Sequence, residues 1–145
     1  MEIDPKYTTH GTVSWTELLT TNPEAAQKFY AELFGWKYNS MPVPGTEGVI
    51  YHSLRTAGAD EKDGQGGIMA MPPEVPAGTP PGWTSYVTVD DVDASLAKVA
   101  ELGGEVIMPP MDVKSVGRMA WIKDPQGAVI AIIKYAVDEW KEMDC

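Results

Sequence analysis

The sequence predicts an α+β chain built of two βαβββ modules that together form a half-barrel cup. Three observations predict it. The order strand, helix, strand, strand, strand is written twice along the chain. Sliding the first half by 69 positions lays Trp15 on Thr84, Glu17 on Tyr86, Pro23 on Val92, Leu33 on Leu102 and Gly35 on Gly104. The chain has 145 residues, 43% of them hydrophobic, which suffices for one domain with a sizeable core and not for two ordinary ones. Residues 1–145 are therefore read as a single domain. Its first module is 11–72, its Pro-rich linker 73–82 and its second module 83–136.

Thr12 to Thr20 is rich in β-branched and apolar residues and holds no Gly or Pro, so it reads as a strand. Asn22-Pro23-Glu24 then opens a helix. Asn caps, Pro suits the first helical position, and Glu suits the positive end of the dipole. Ala26, Phe29, Tyr30, Leu33 and Phe34 recur at three- and four-residue spacing as one apolar stripe, and Gly35 ends the helix. Trp36 to Met41, Gly48 to Ala57 and Gly67 to Met71 read as three strands, with a Pro42-Val43-Pro44-Gly45 turn and a polar loop from Ala59 to Gly64 between them. Pro72, Pro73, Pro76, Pro80 and Pro81 imply a stiff, extended connection.

The pattern then restarts. Trp83 to Val89 is a strand. Asp91 caps a helix with Val92, Leu96, Val99 and Leu102 on its apolar face, and Gly103-Gly104 stops it. Glu105 to Met108, Gly117 to Lys123 and Ala128 to Tyr135 are strands, the last two joined by an Asp124-Pro125-Gln126-Gly127 turn. Residues from Val137 onward are read as a short terminal helix.

Composition narrows the partners. The formal net charge is −10, and no stretch concentrates Lys or Arg, so neither nucleic acid nor a membrane surface is expected. The acid excess could also serve only solubility. The one cysteine, Cys145, excludes an internal disulfide framework and a Cys-based metal cluster. The N-terminal Met1-Glu2-Ile3-Asp4-Pro5 is unlike a signal peptide, and no apolar run approaches the roughly 20 residues that cross a bilayer. The chain reads as soluble and cytoplasmic. Two histidines far apart, His10 and His52, and a terminal Cys leave no Ser-His-Asp or Cys-His set. No glycine-rich loop follows a strand as a phosphate loop requires.

Five segments in order carry a resemblance. They are Phe29-Tyr30 with Leu33-Phe34-Gly35-Trp36; Tyr86-Val87-Thr88-Val89-Asp90-Asp91-Val92-Asp93-Ala94; Leu102-Gly103-Gly104 with Pro109-Pro110; Gly117-Arg118-Met119-Ala120; and Asp124-Pro125-Gln126-Gly127-Ala128. Together they resemble the vicinal-oxygen-chelate (glyoxalase/bleomycin resistance protein/dioxygenase) superfamily over roughly residues 11–135. Within it, the chain is most similar to the metal-poor branch that includes the mycobacterial 27-kDa antigen. The resemblance implies the half-barrel fold, a small-molecule ligand and a homodimer. It also places metal ligands at four cup-facing positions, which correspond here to Trp15, Thr84, Ala131 and, with a looser alignment, Met69. Trp and Ala offer a hard divalent ion nothing, and Met suits copper(I). No metal and no cofactor are therefore expected.

Strand alternation supplies what remains in the cup. If Trp15 faces it, so do Val13, Glu17 and Leu19. On the matching strand Thr84, Tyr86 and Thr88 face it, and Val129, Ala131 and Ile133 line the floor. The expected ligand site is Trp15, Glu17, Met69, Thr84, Tyr86, Arg118, Trp121 and Ala131, apolar and aromatic with a few polar groups, which suits a flat organic ligand. Trp15 and Tyr86 could instead simply plug the cavity. Trp36, Trp83 and Trp121 could be core or dimer contacts. Glu17 is the candidate acid or base, since desolvation beside aromatics would raise its pKa and an Arg118 partner would lower it. It could also sit hydrated at a strand end with no role. Three functions are open: a metal-free binder that sequesters, resists or senses a planar compound; a metal-independent lyase or isomerase using Glu17; and a scaffold whose cup is filled.

Overall fold

The computed structural model describes residues 5–43, 45–60, 64–114 and 116–136. The terminal helix expected from Val137 onward lies outside the described residues, as does Pro44 of the expected turn. The elements run α1 (Pro5–Thr8), β1 (Val13–Thr20), α2 (Pro23–Phe34), β2 (Lys37–Pro42), β3 (Ile50–Arg55), β4 (Gly66–Ala70), β5 (Gly82–Thr88), α3 (Val92–Val99), β6 (Glu105–Val113), β7 (Gly117–Lys123) and β8 (Val129–Tyr135). The fold class is α+β, and βαβββ occurs twice, as the sequence predicts. The chain divides into two compact units. One is Trp15–Trp83; the other joins the segment from Thr84 onward to the N-terminal arm that ends at Ser14.

In the first unit the strand order is β2-β3-β4-β1, with β1 and β4 parallel and the other neighbours antiparallel. Asn22 caps α2, its side chain accepting from the Ala25 amide at 3.0 Å, with Pro23 next in line. Gly35 closes the helix in the left-handed region at φ 75°, its amide donating to the Ala31 carbonyl at 2.9 Å. The core is Leu18, Leu54 and Ile68, packed under Ala26, Tyr30, Trp36 and Tyr38. Of the predicted apolar stripe, Ala26 and Tyr30 meet this core, whereas Phe29, Leu33 and Phe34 are exposed.

The second unit repeats the plan, with order β5-β8-β7-β6 and the parallel pair β5–β8. Asp91 caps α3 by accepting from the Ala94 amide at 3.0 Å. The helix ends at Val99, and the Gly103-Gly104 stop acts one turn later: Gly103 lies at φ 89° and the Gly104 amide donates back to the Val99 carbonyl at 2.9 Å. Leu102 falls beyond the helix and is exposed, contrary to its expected place on the apolar face. The core is Val89, Val92, Ala120 and Ile132, with Leu96 and Ile122 against it. The N-terminal arm lies along β5, exchanging Gly11 amide to Thr88 carbonyl and Thr88 amide to Thr12 carbonyl bonds, each 2.8 Å.

Two further differences have physical reasons. Strand β6 runs on through Pro109-Pro110 to Val113, because register shifts between Val106, Met108 and Met111 leave the prolines unpaired with β7. The proline-rich connection folds into turns rather than extending: the Val75 amide bonds the Pro72 carbonyl at 3.1 Å and the Thr79 amide bonds the Pro76 carbonyl at 3.2 Å, with Gly78 at φ 86° supplying the bend.

Candidate functional site

In each unit α2 or α3 packs on one sheet face, and strand alternation puts the remaining side chains on the other. In the first unit Leu18, Ile68, Leu54 and Tyr38 share the α2 face. Alternation then puts Trp15, Glu17, Leu19, Met69, Tyr51, Ser53, Arg55 and Asn39 on the face away from α2. Three of these are joined in a chain. The Trp15 Nε1–H donates to the Tyr51 hydroxyl at 2.7 Å, and the Tyr51 hydroxyl donates to Glu17 Oε2 at 3.0 Å. Glu17 is only 8% exposed, so the alternative of a hydrated strand-end carboxylate does not describe it.

Gly67 permits this arrangement. It is the register partner of Glu17 on β4, and a Cβ there would run into the Tyr51 ring. Gly64 does a similar service, since its Cβ would meet Ser53 Oγ and the Trp15 ring. Sequence reading missed Tyr51. The signal available was the Gly66-Gly67 pair inside a strand, which marks a close approach by another group.

In the second unit Val89, Ala120 and Ile132 face α3. Tyr86 on β5, Ala131 on β8, Trp121 on β7 and Met108 on β6 are register partners in turn and form one row on the opposite face. Ala131 is 0% exposed and Tyr86 is buried; Thr84 and Trp121 are half-buried. Thr88 is buried with its hydroxyl donating to the Tyr7 carbonyl at 2.6 Å. The Ser14 hydroxyl lies 2.9 Å from that of Tyr135. A cleft of about 160 Å³ is lined by Thr8, Thr88, Val89, Asp90, Lys134 and Tyr135, none of them a predicted ligand-site residue.

Arg118 requires a correction. It shares strand parity with Ala120 and Ile122, so it stands on the α3 face rather than with Tyr86 and Trp121. Its guanidinium donates through Nε and Nη2 to Asp93 on α3 at 3.0 and 2.9 Å, and through Nη1 to Asp112 on β6 at 2.9 Å. The expected Glu17–Arg118 pair is therefore replaced by Glu17–Tyr51 and by an arginine held between two aspartates. Those bonds pull the Asp93 carboxyl below its usual range and push Arg118 further up.

The histidines serve structure. His10 Nδ1 accepts from the Asp90 amide at 2.9 Å, and His52 Nδ1 lies 2.6 Å from the Ser40 hydroxyl on the α2 face. Burial holds the His52 pKa below its ordinary value, with Glu24 working weakly against it. The four positions at which the resemblance places metal ligands do not fit a divalent ion. The one heteroatom of the Trp15 ring is an N–H already donated to Tyr51, Ala131 has none, and Thr84 and Met69 bring a hydroxyl and a thioether. Among the described residues no three His, Cys, Asp or Glu side chains come together as a metal site. No helix among them is long and apolar enough to cross a membrane.

Comparison with known proteins agrees with this architecture. Over 122 residues the chain is 46% identical to the CFP32 protein of Mycobacterium bovis, covering 84% of this chain and 45% of that one. It is 35% identical over 138 residues to the anthracycline biosynthesis protein DnrV of Streptomyces peucetius, covering 92% of this chain and 50% of that one. The chain thus spans about half the length of the curated relatives it matches. In fold it is similar to methylmalonyl-CoA epimerase from Mycobacterium tuberculosis, with a TM-score of 0.60 at 16% identity, covering 92% of this chain and 96% of that one. The epimerase of Streptomyces coelicolor, solved with 2-nitronate-propionyl-CoA, gives 0.61 at 18% identity, covering 88% and 99%. The family model for the glyoxalase/bleomycin resistance protein/dioxygenase superfamily matches residues 12–132, and the chain belongs to that superfamily.

Proposed function

We propose that this glyoxalase-like protein binds a small, planar organic molecule on the face of the first unit away from α2, without a metal, in sequestration, resistance or sensing. The observation that carries this reading is the Trp15–Tyr51–Glu17 chain. It combines two aromatic side chains with a buried carboxylate, and Gly67 leaves the room the Tyr51 ring needs. Met69 adds adaptable apolar surface beside them. On the second unit, taken by itself, Thr84, Tyr86, Trp121 and Ala131 are proposed as ligand contacts on the face away from α3. A relative named for anthracycline biosynthesis is compatible support, because anthracyclines are flat polycyclic molecules. Homodimerisation is proposed with it; sedimentation at the mass of one 15.8-kDa chain would overturn that part.

The test is a thermal-shift screen of planar compounds. At a hundredfold excess over Kd a binder gains about 2.7 kcal/mol of stability. Such hits should be lost in Trp15→Leu; hits that survive that change overturn the reading. Stoichiometric metal in tag-free protein, measured by elemental analysis, would overturn the metal-free reading.

One observation favours a second reading. A buried carboxylate held by a phenol is the kind of group that moves a proton, so Glu17 would serve as acid or base in a metal-independent lyase or isomerase. Glu17→Gln separates the two. A binder keeps most of its affinity, and an enzyme loses its turnover.

A further inference from the structure

The two arginines of the chain are placed in opposite circumstances. Arg118 is neutralised by Asp93 and Asp112. Arg55 has no carboxylate partner among the described residues. Its Nη1 donates to Asn39 Oδ1 at 2.9 Å, and its Nε is buried with no hydrogen-bond partner among them. Arg55 also lies directly opposite Lys37, on β3 and β2, and both share the helix-free face with Trp15 and Glu17. Two cations directly opposite each other weaken an antiparallel pair.

The second unit resolves the equivalent position differently. Its corresponding strands β6 and β7 set Glu105 opposite Lys123, an attractive pair at the same place in the topology. The first unit therefore keeps a cation where the second has an acid, and leaves a buried guanidinium donor unused. In a chain of net charge −10 the overall field does not draw anions in, so a preference for them has to come from such a local pair.

We propose that Arg55, with Lys37 across from it, binds the anionic group, carboxylate or phosphate, of the small molecule whose flat part lies along Trp15. This rests on the reading of that face as a ligand site. Strands β1 and β3 are separated by β4, so Trp15 and Arg55 stand about 10 Å apart across the sheet, which a bicyclic aromatic acid spans. Arginine suits the task because its planar fork meets a carboxylate or phosphate with two parallel bonds.

Isothermal titration of the full chain with 2-naphthoate, 2-naphthyl phosphate, the neutral 2-naphthamide and inorganic phosphate tests this. At least one of the two naphthyl acids is expected to bind on the order of tenfold or more tighter than the amide. Whichever binds tighter identifies carboxylate or phosphate as the preferred group. Arg55→Gln should erase the acid preference while leaving the amide's affinity in place, and Arg55→Lys should retain most of it. Lys37→Gln, on an exposed side chain, should lower the preference in part and serves if the Arg55 variants do not fold. Equal binding of acids and amide by the wild type, or a preference that survives Arg55→Gln, overturns the anion site and leaves the ligand face standing. Silence of all four probes counts against the ligand face itself, and this inference falls with it.

Discussion

The two units share a frame and differ on one face. Both cap their helix with a side chain that accepts from the amide three residues on, Asn22 to Ala25 and Asp91 to Ala94. Both pair their first and last strands in parallel. On the face away from α2 or α3, however, the first unit places a carboxylate, a phenol, an indole and an arginine. The second places the row Tyr86, Ala131, Trp121 and Met108. Gly67 and Ala131 are topological equivalents, each the parallel partner of the residue at the Glu17 or Tyr86 position. The absence of one methyl group at Gly67 is what admits the Tyr51 ring and with it a polar site. The shared frame rests on the apolar positions facing the helices, and the two units differ in the positions between them.

The comparison can be broken first at the cores. Ile68→Ala and Ile132→Ala each remove a buried aliphatic side chain under a helix and should each cost about 2–5 kcal/mol in urea unfolding. Tolerance at only one of them would show that the frames are not equivalent. Gly67→Ala should cost about 1–3 kcal/mol by forcing the Tyr51 ring aside, whereas Ala131→Gly, which creates no clash, should cost less. Tyr51→Phe strips a donor from buried Glu17 and should cost about 1–3 kcal/mol, with part of the loss recovered in the Tyr51→Phe, Glu17→Gln double variant.

The smaller effects are in pH. Asp93 has its pKa lowered by Arg118, so its contribution is present above its ordinary 3.8 and is lost as pH falls below that value. Acid titration of stability should lose that slope in Arg118→Gln. His52 is a base with a lowered pKa, so the unfolded chain takes the proton first. Its contribution is complete above its ordinary 6.5 and falls as pH drops below it. A His52→Gln variant should lack this shallow loss below pH 6.5.

Much of the frame was legible from local chemistry. Asn22-Pro23, Gly35 and Asp91 announced helix ends because capping depends on adjacent residues alone. Strand β7 was read at its observed limits, Gly117 to Lys123, because it is a continuous strand between turn signals. The site was legible only in part. Alternation put Trp15 and Glu17 on one face, but which strand lies beside which is a tertiary fact. Tyr51 reaches Glu17 only because β4 stands between β3 and β1 and carries a glycine at the crossing point. Arg118 is expected beside Glu17 because Gly117-Arg118-Met119 opens the central strand of the second module, but its parity with Ala120 sets it on the helix side. Strand β6 continues past the expected Met108 to Val113, and the register shifts that accommodate Pro109 and Pro110 leave no mark in the sequence.

If the ligand lies on the first unit's face away from α2, the indole region of a two-dimensional ¹H–¹⁵N spectrum will report it. Trp15 donates its indole N–H to Tyr51 on that face, and Trp83 donates its own to Tyr30 on α2. With a compound taken from the thermal-shift screen, and with Trp15 assigned by its loss in Trp15→Phe, the Trp15 signal should move on titration while that of Trp83 stays in place. A Trp83 signal that moves while Trp15 remains fixed would contradict the account.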